Sequence, residues 1–193
     1  MNLLEQTISS IKIPDAALPH TVDTVLTTHT SMNFGRLKEV LLRYIRITGE
    51  RHPAPPQTSV IISCADHGVA AESVSAYPPE TTLNMMCNYL IARGGAANAV
   101  ANYANAQLIV ADLGVNADTS DIPGLLHKSI ARGTANMTAG PAMTRAQAIR
   151  SVETGIALAN ERADHGDRCI LPGEMGISNT TSSAAIVAAL LEL

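Results

Sequence analysis

A chain of 193 residues that is 46% hydrophobic but only 3% aromatic, with no Trp and a single Phe, has to build its core from Ala, Val, Ile, Leu and Met. Its net charge of −4 and pI near 5.8 exclude the basic stripe of a nucleic-acid surface, and four scattered tyrosines make no base-stacking platform. No run reaches 18 consecutive apolar residues and the first fifteen residues lack a basic n-region and a cleavage site, so no membrane partner and a cytoplasmic location are expected.

Taken in order, residues 1–12 suit a short helix that stops before Pro14. "HTVDTVLTTHTSMNFG" (20–35) is a polar stretch that leads into the next segment. In "RLKEVLLRYIRITGE", Leu37, Val40, Leu41, Tyr44 and Ile45 recur at helical spacing and make one apolar face. Residues 1–52 are therefore expected to form an N-terminal helical arm. "RHPAPPQ" (51–57) is a linker, because its clustered prolines cannot continue a helix.

Beyond the linker the pattern changes. "TSVIISCA" (58–65), "QLIVADLG" (107–114) and "RCILPGE" (168–174) are short apolar runs without alternation, as expected for strands buried on both faces of a parallel sheet. Helical segments separate them, over 79–105 with a break at Gly94-Gly95 and over 144–164, and an Ala-rich run follows residue 180. The order predicts an α/β fold over residues 58–193: a doubly wound, mainly parallel sheet with flanking helices. Cys64, Cys87 and Cys169 are odd in number, far apart and form no C-x-x-C pair, which disfavours a disulfide framework or structural zinc.

Ligands of an open parallel sheet bind outside the carboxyl ends of its strands. Each predicted strand ends in acidic and glycine residues: Asp66-His67-Gly68, Asp112-Leu113-Gly114 and Gly173-Glu174-Met175-Gly176. The last leads into "GEMGISNTTSSAA" (173–185), a strand, a glycine turn and a helix start. Gly173 and Gly176 permit close backbone approach or positive φ, and Ser178, Asn179 and Thr180 are N-cap candidates. The free N–H groups of such a helix start favour an anion, most simply a phosphate. An ordinary strand-to-helix turn with a capped helix fits the same spacing. The stretch matches neither G-x-x-x-x-G-K-[ST] nor G-x-G-x-x-G. His67 is read as organising its loop by hydrogen bonding rather than as a metal ligand, since the six histidines are dispersed; no metal site and no G-x-S-x-G elbow are expected.

Four segments in order, "CADHGVAAESVSAYPPETTLNMMCNYLIARGGAANAVA", "LIVADLGV", "ARGTANMTAGPAMTRAQA" and "GEMGISNTTSSAAIVAAL", resemble nicotinate-nucleotide:dimethylbenzimidazole phosphoribosyltransferases. The resemblance is clear over 58–193 and looser over the arm. It implies transfer of a phosphoribosyl group from nicotinate mononucleotide to 5,6-dimethylbenzimidazole or a related aromatic base, giving an α-linked ribazole phosphate for the lower ligand of cobalamin. No metal or redox cofactor is implied. By position, Gly173, Gly176, Ser178, Asn179 and Thr180 would hold the 5′-phosphate, with Asp112, Gly133 and Thr134 in supporting loops around the nucleotide. Glu174 would be the acidic residue beside the reacting ribose or base, and Ser75, Tyr77, Asn84 and Met175 would line the base slot.

The chain departs from that pattern in several places. Ser178 stands where the family usually has a third glycine, Asn84 where the base slot usually carries Gln, and "HTSMNFGRL" replaces a proline- and glycine-rich loop. Family members are nearly twice as long, and their general base is a glutamate in a "GEGTG"-like segment that these 193 residues lack. The sheet is therefore expected to be incomplete, with uncovered apolar surface around "AAIVAALLEL", and the isolated chain to turn over poorly. A homodimer or a complementing C-terminal polypeptide is the implied assembly. The alternative is a non-catalytic nucleotide-binding or regulatory remnant of the family.

Overall fold

The computed structural model describes residues 2–15, 17–29 and 32–192, which belong to two units, Met1–Pro56 and Gln57–Leu193. The smaller unit is helical. Helix α1 (Leu3–Ser10) starts at a capping box in which the Asn2 side chain accepts from Glu5 N and the Glu5 carboxylate accepts from Asn2 N. Helices α2 (Ala17–His29) and α3 (Arg36–Thr48) follow. α2 occupies much of 20–35, which the sequence gives only as a polar stretch. Val22, Val25 and Leu26 form an apolar stripe that lines a cavity of about 380 Å³ together with Leu41 and Ile45 of α3. The threonines that disguised this helix are accommodated within it. Those at 21, 24 and 27 donate to the carbonyls of Ala17, His20 and Asp23, so their polar atoms are satisfied inside the helix. Thr30 and Ser31 of the "HTSMNFGRL" segment lie outside the described residues.

The larger unit is built on β1 (Thr58–Ala65), with β2 (Gln107–Gly114), β3 (Leu126–His127) and β4 (Cys169–Met175) in the order β3-β2-β1-β4, all parallel. This is the expected α/β architecture. β3, too short to leave a pattern in the sequence, is an addition to the three expected strands. Alternate residues serve opposite faces. Ile62, Cys64 and Val110 pack with Met86 of α4 (Thr81–Cys87), while Ile61 and Ala111 pack with Leu158 of α6 (Arg145–Asp164). Burial on both faces is why β1 and β2 read as unbroken apolar runs, whereas β4 is an apolar run that stays partly exposed.

α4 continues through a π-helical turn (Asn88–Ala92), and the helix breaks at Arg93 (φ 54°), Gly94 and Gly95 before α5 (Ala96–Tyr103). At the amino end of the sheet, buried Asp167 accepts from Ser59 Oγ (2.5 Å) and Arg162 Nε (2.8 Å), tying β1 to the loop between α6 and β4. Beyond β4 comes α7 (Asn179–Leu191). Its Ile186, Val187, Leu190 and Leu191 are exposed, as is Leu171 of β4, so apolar surface is uncovered where the sequence led us to expect it. Among the described residues no helix is long and apolar enough to cross a membrane.

From β1 the chain moves to β2 and β3 on one side, and β4 then joins β1 on its other side. The order reverses between β1 and β4, which makes the crevice above their carboxyl ends the topological place for a ligand.

Candidate active site

The three acidic strand ends share one edge because the strands are parallel, but they do different work. Asp66 Oδ2 accepts from Asn116 N (2.7 Å). Asp112 is buried and accepts from Gly114 N (2.9 Å), Val115 N (2.8 Å) and the Thr119 hydroxyl (2.8 Å), which engages both of its oxygens in shaping its own loop. Glu174, opposite Ser63 in the β1–β4 ladder, binds the side-chain amide of Asn179. Partial desolvation with no cation beside it raises its pKa above the ordinary glutamate value. The nearby thiol reports the same negative field: burial first, and then the Asp112, Glu174 and Asp66 carboxylates, push Cys64 up to about 12.

The turn from β4 into α7 is held from several directions. Gly176 has no left-handed φ; it is needed for space. A Cβ there would lie 2.2 Å from the Ala65 carbonyl oxygen and 2.8 Å from His67 Nε2. Ile177 N donates to Thr82 Oγ1 (3.1 Å), anchoring the turn to α4. His67 Nδ1 lies 3.0 Å from Ser182 Oγ, joining the end of β1 to the first turns of α7. Burial lowers the His67 pKa, which favours the neutral ring. The side-chain bond of His67 thus reaches α7 rather than a residue of its own loop.

The left-handed residue of the turn is Ser178 (φ 72°), not a glycine. It occupies the N-cap position of α7 without a side-chain cap bond, and its buried Oγ has no partner among the described residues. Asn179 Nδ2 donates to Glu174, and Asn179 Oδ1 lies 2.7 Å from the Thr180 N it accepts from. Gly173, in contrast, sits inside β4 opposite Ile62, where an added Cβ would make only ordinary contacts at 3.6 Å; neither positive φ nor close approach explains it.

The remaining candidates form separate groups. Gly133 (φ 71°) donates to Gly114 O (2.9 Å), Thr134 N donates to Asp66 O (3.0 Å), and Thr134 Oγ1 accepts from Gly68 N (3.1 Å). This second layer fastens the loop over 130–135 above β1 and β2. With Ala65 and His67 it lines a cavity of about 620 Å³ that the sequence did not disclose. Ser75 Oγ accepts from Tyr77 N (3.2 Å), while Tyr77 and Asn84 are exposed and Met175 packs at the margin of the core on the α4 face. The structure thus gathers Glu174, Gly176, Ser178 and Asn179, with His67, Thr82 and Ser182 as supports. It does not enclose Ser75, Tyr77 and Asn84 in a slot. Thr82 and Ser182 were missed because isolated hydroxyl residues carry no spacing signal.

Comparison with known proteins gives the same region a history. A family model described as "Phosphoribosyltransferase" matches residues 13–193. The nicotinate-nucleotide–dimethylbenzimidazole phosphoribosyltransferase of Geobacter metallireducens is 42% identical over 192 residues, 98% of this chain and 54% of its own length. That of Geobacter sulfurreducens is 44% identical over the same shares. A crystal structure of the Thermus thermophilus enzyme of that name superposes with a TM-score of 0.86 at 39% identity, over 93% of this chain and 55% of that one. The chain therefore spans about half the length of the relatives it matches. With the family model covering all but its first twelve residues, the chain belongs to the phosphoribosyltransferase family that includes these nicotinate-nucleotide–dimethylbenzimidazole enzymes.

Proposed function

We propose that this chain carries the nucleotide-binding part of a phosphoribosyl transfer from nicotinate mononucleotide to 5,6-dimethylbenzimidazole or a related aromatic base. One observation carries the reading: Gly176 is wedged against Ala65 and His67, so that the α7 start, buried Ser178 and Glu174 lie together at the sheet's switch point. In this reading Gly176, Ser178, Asn179 and Thr180 present the helix start to the 5′-phosphate. Thr134 and Gly133 hold the neighbouring loop, and Asp112 keeps the end of β2 in shape. Ser75, Tyr77, Asn84 and Met175 border the incoming base.

The chemistry follows from charge. A ring nitrogen of the base attacks the anomeric carbon as the carbon–nitrogen bond to nicotinate breaks, and the bonding pair leaves with the pyridine nitrogen. Positive charge develops on the ribose, and an ionised Glu174 at that edge stabilises it. The proton released by the base passes to a carboxylate, which the family resemblance assigns to a glutamate outside these residues. No metal or redox cofactor is needed for these steps. The uncovered apolar residues of β4 and α7 support assembly with a second copy or a complementing polypeptide.

Nucleotide binding without transfer is the second reading. It is favoured by the fact that Glu72, the other glutamate close to the end of β1, is occupied by Asn136 and Thr138, which leaves Glu174 without a second free glutamate beside it. Incubation with nicotinate mononucleotide and dimethylbenzimidazole, followed by chromatography of free nicotinate, separates the two. Transfer gives nicotinate that disappears in Glu174→Gln. Binding measured by calorimetry with no nicotinate released gives the second reading, and the absence of both rejects the proposal.

A further inference from the structure

The imidazole of His67 has one nitrogen engaged and one open. The ring follows β1 and lies against Gly176, where an added Cβ would come 2.8 Å from Nε2. Its other nitrogen, Nδ1, is 3.0 Å from Ser182 Oγ in the first turns of α7. Burial lowers the pKa of the ring and keeps it neutral, so one nitrogen carries a hydrogen and the other accepts one.

Ser182 decides which. A hydroxyl inside a helix commonly donates to the carbonyl four residues back, as Thr7, Ser151 and Thr154 do to Leu3, Gln147 and Arg150. Among the described residues Ser182 makes no such bond, and Nδ1 is the one partner of its Oγ. A hydroxyl hydrogen needs an acceptor. Ser182 therefore donates to Nδ1, which leaves the ring hydrogen on Nε2.

That Nε2–H meets no acceptor among the described residues. The adjacent carboxylate does not take it: Asp66 Oδ2 accepts from Asn116 N, and Oδ1 is buried without a partner. Because residue 176 is glycine, the Nε2 edge stays uncovered, and His67 lines the cavity at the carboxyl edge. Two residues on from Gly176 stands Ser178, only 5% exposed, at the N-cap of α7 with no cap bond and a buried, unpartnered Oγ. An imidazole N–H and a hydroxyl thus wait unsatisfied at the positive end of a helix of 13 residues. Donors gathered at such an end select an oxyanion.

We infer that His67 is a further ligand of the anion held at the β4–α7 turn: its Nε2–H donates to an oxygen of that anion, and the Ser182 hydroxyl, by donating to Nδ1, fixes the tautomer that allows it. Ser182 is a positioning residue, acting through the ring. That the anion is a nucleotide's 5′-phosphate rests on the phosphoribosyl-transfer reading; the tautomer rests on the contacts of His67 alone.

Two amide variants separate this role from a plain structural tie, because the amide of Gln reaches the place of Nε2 and that of Asn the place of Nδ1. Nicotinate mononucleotide and nicotinate riboside are titrated by calorimetry at about pH 8, above the ordinary histidine range. The unaltered chain should prefer the mononucleotide by about tenfold or more. His67→Gln should keep that preference within about threefold, and His67→Asn should lose about fivefold or more of it. Ring-nitrogen NMR of the ligand-free chain should show Nε2 protonated and Nδ1 unprotonated at His67, and Ser182→Ala should give a mixture of tautomers. An unprotonated Nε2 in the unaltered chain overturns the inference, and this readout needs no variant to fold. A preference kept in His67→Asn, or lost in His67→Gln, overturns it as well and leaves the phosphate turn standing. Equal affinity of the unaltered chain for the two ligands removes the phosphate reading and the inference together.

Discussion

Gly176 is where one hydrogen atom decides the geometry of the site. Alanine there would place its Cβ 2.2 Å from the Ala65 carbonyl oxygen, backbone against backbone, and one of them must move. Gly176→Ala is expected to cost about 1–3 kcal/mol, read from the urea midpoint, and to weaken nucleotide binding more than tenfold. Ser178 is the opposite case, a side chain where the backbone is left-handed and the hydroxyl is buried without a partner. Ser178→Gly should raise stability by about 1 kcal/mol in the same assay, because it removes both penalties. Cys64 gives a pH signature. Its folded pKa of about 12 lies above the unfolded value of 9.0, so the folded state holds the proton more tightly. Stability from this group is complete below pH 9 and declines as pH rises from there toward 12; urea midpoints that stay flat over that range would count against it. None of these three behaviours was legible from residue identities, since each depends on which neighbours the fold places against a small side chain.

At the scale of elements β1 and β2 were readable because burial on two faces leaves an unmistakable apolar run, β4 because its run is apolar although partly exposed, and the break at Gly94-Gly95 because glycine interrupts a helical period. α2 was not. Its threonines are poor helix formers in isolation, and only the stripe of Val22, Val25 and Leu26 against α3 gives the segment a reason to be helical. β3 escaped because two residues have no period. The Asp167 anchor was equally invisible, as Ser59, Arg162 and Asp167 are distant in sequence or unremarkable in spacing. With its carboxylate fully buried against Arg162, Asp167→Ala should cost about 3–5 kcal/mol, checked by chemical denaturation, because the guanidinium then loses its counterion.

For the whole molecule, the β3-β2-β1-β4 order brings residues far apart in the chain to one crevice, and the acidic strand ends foretold that edge. What they did not foretell was the division of labour, in which Asp112 shapes its own loop, Asp66 ties the end of β1 to Asn116 of the loop after β2, and Glu174 keeps a raised pKa. Nor did they reveal the cavity beside His67, whose walls come from four separate segments. The central claim is that the β4–α7 turn grips the phosphate of a nicotinate nucleotide. Calorimetric titration with nicotinate mononucleotide and with nicotinate riboside, which differ only in that phosphate, tests it most directly. The account predicts saturable binding of the mononucleotide, at least tenfold weaker binding of the riboside, and loss of the difference in Gly176→Ala. Equal affinity for the two, or a phosphate preference that survives in Gly176→Ala, would contradict it.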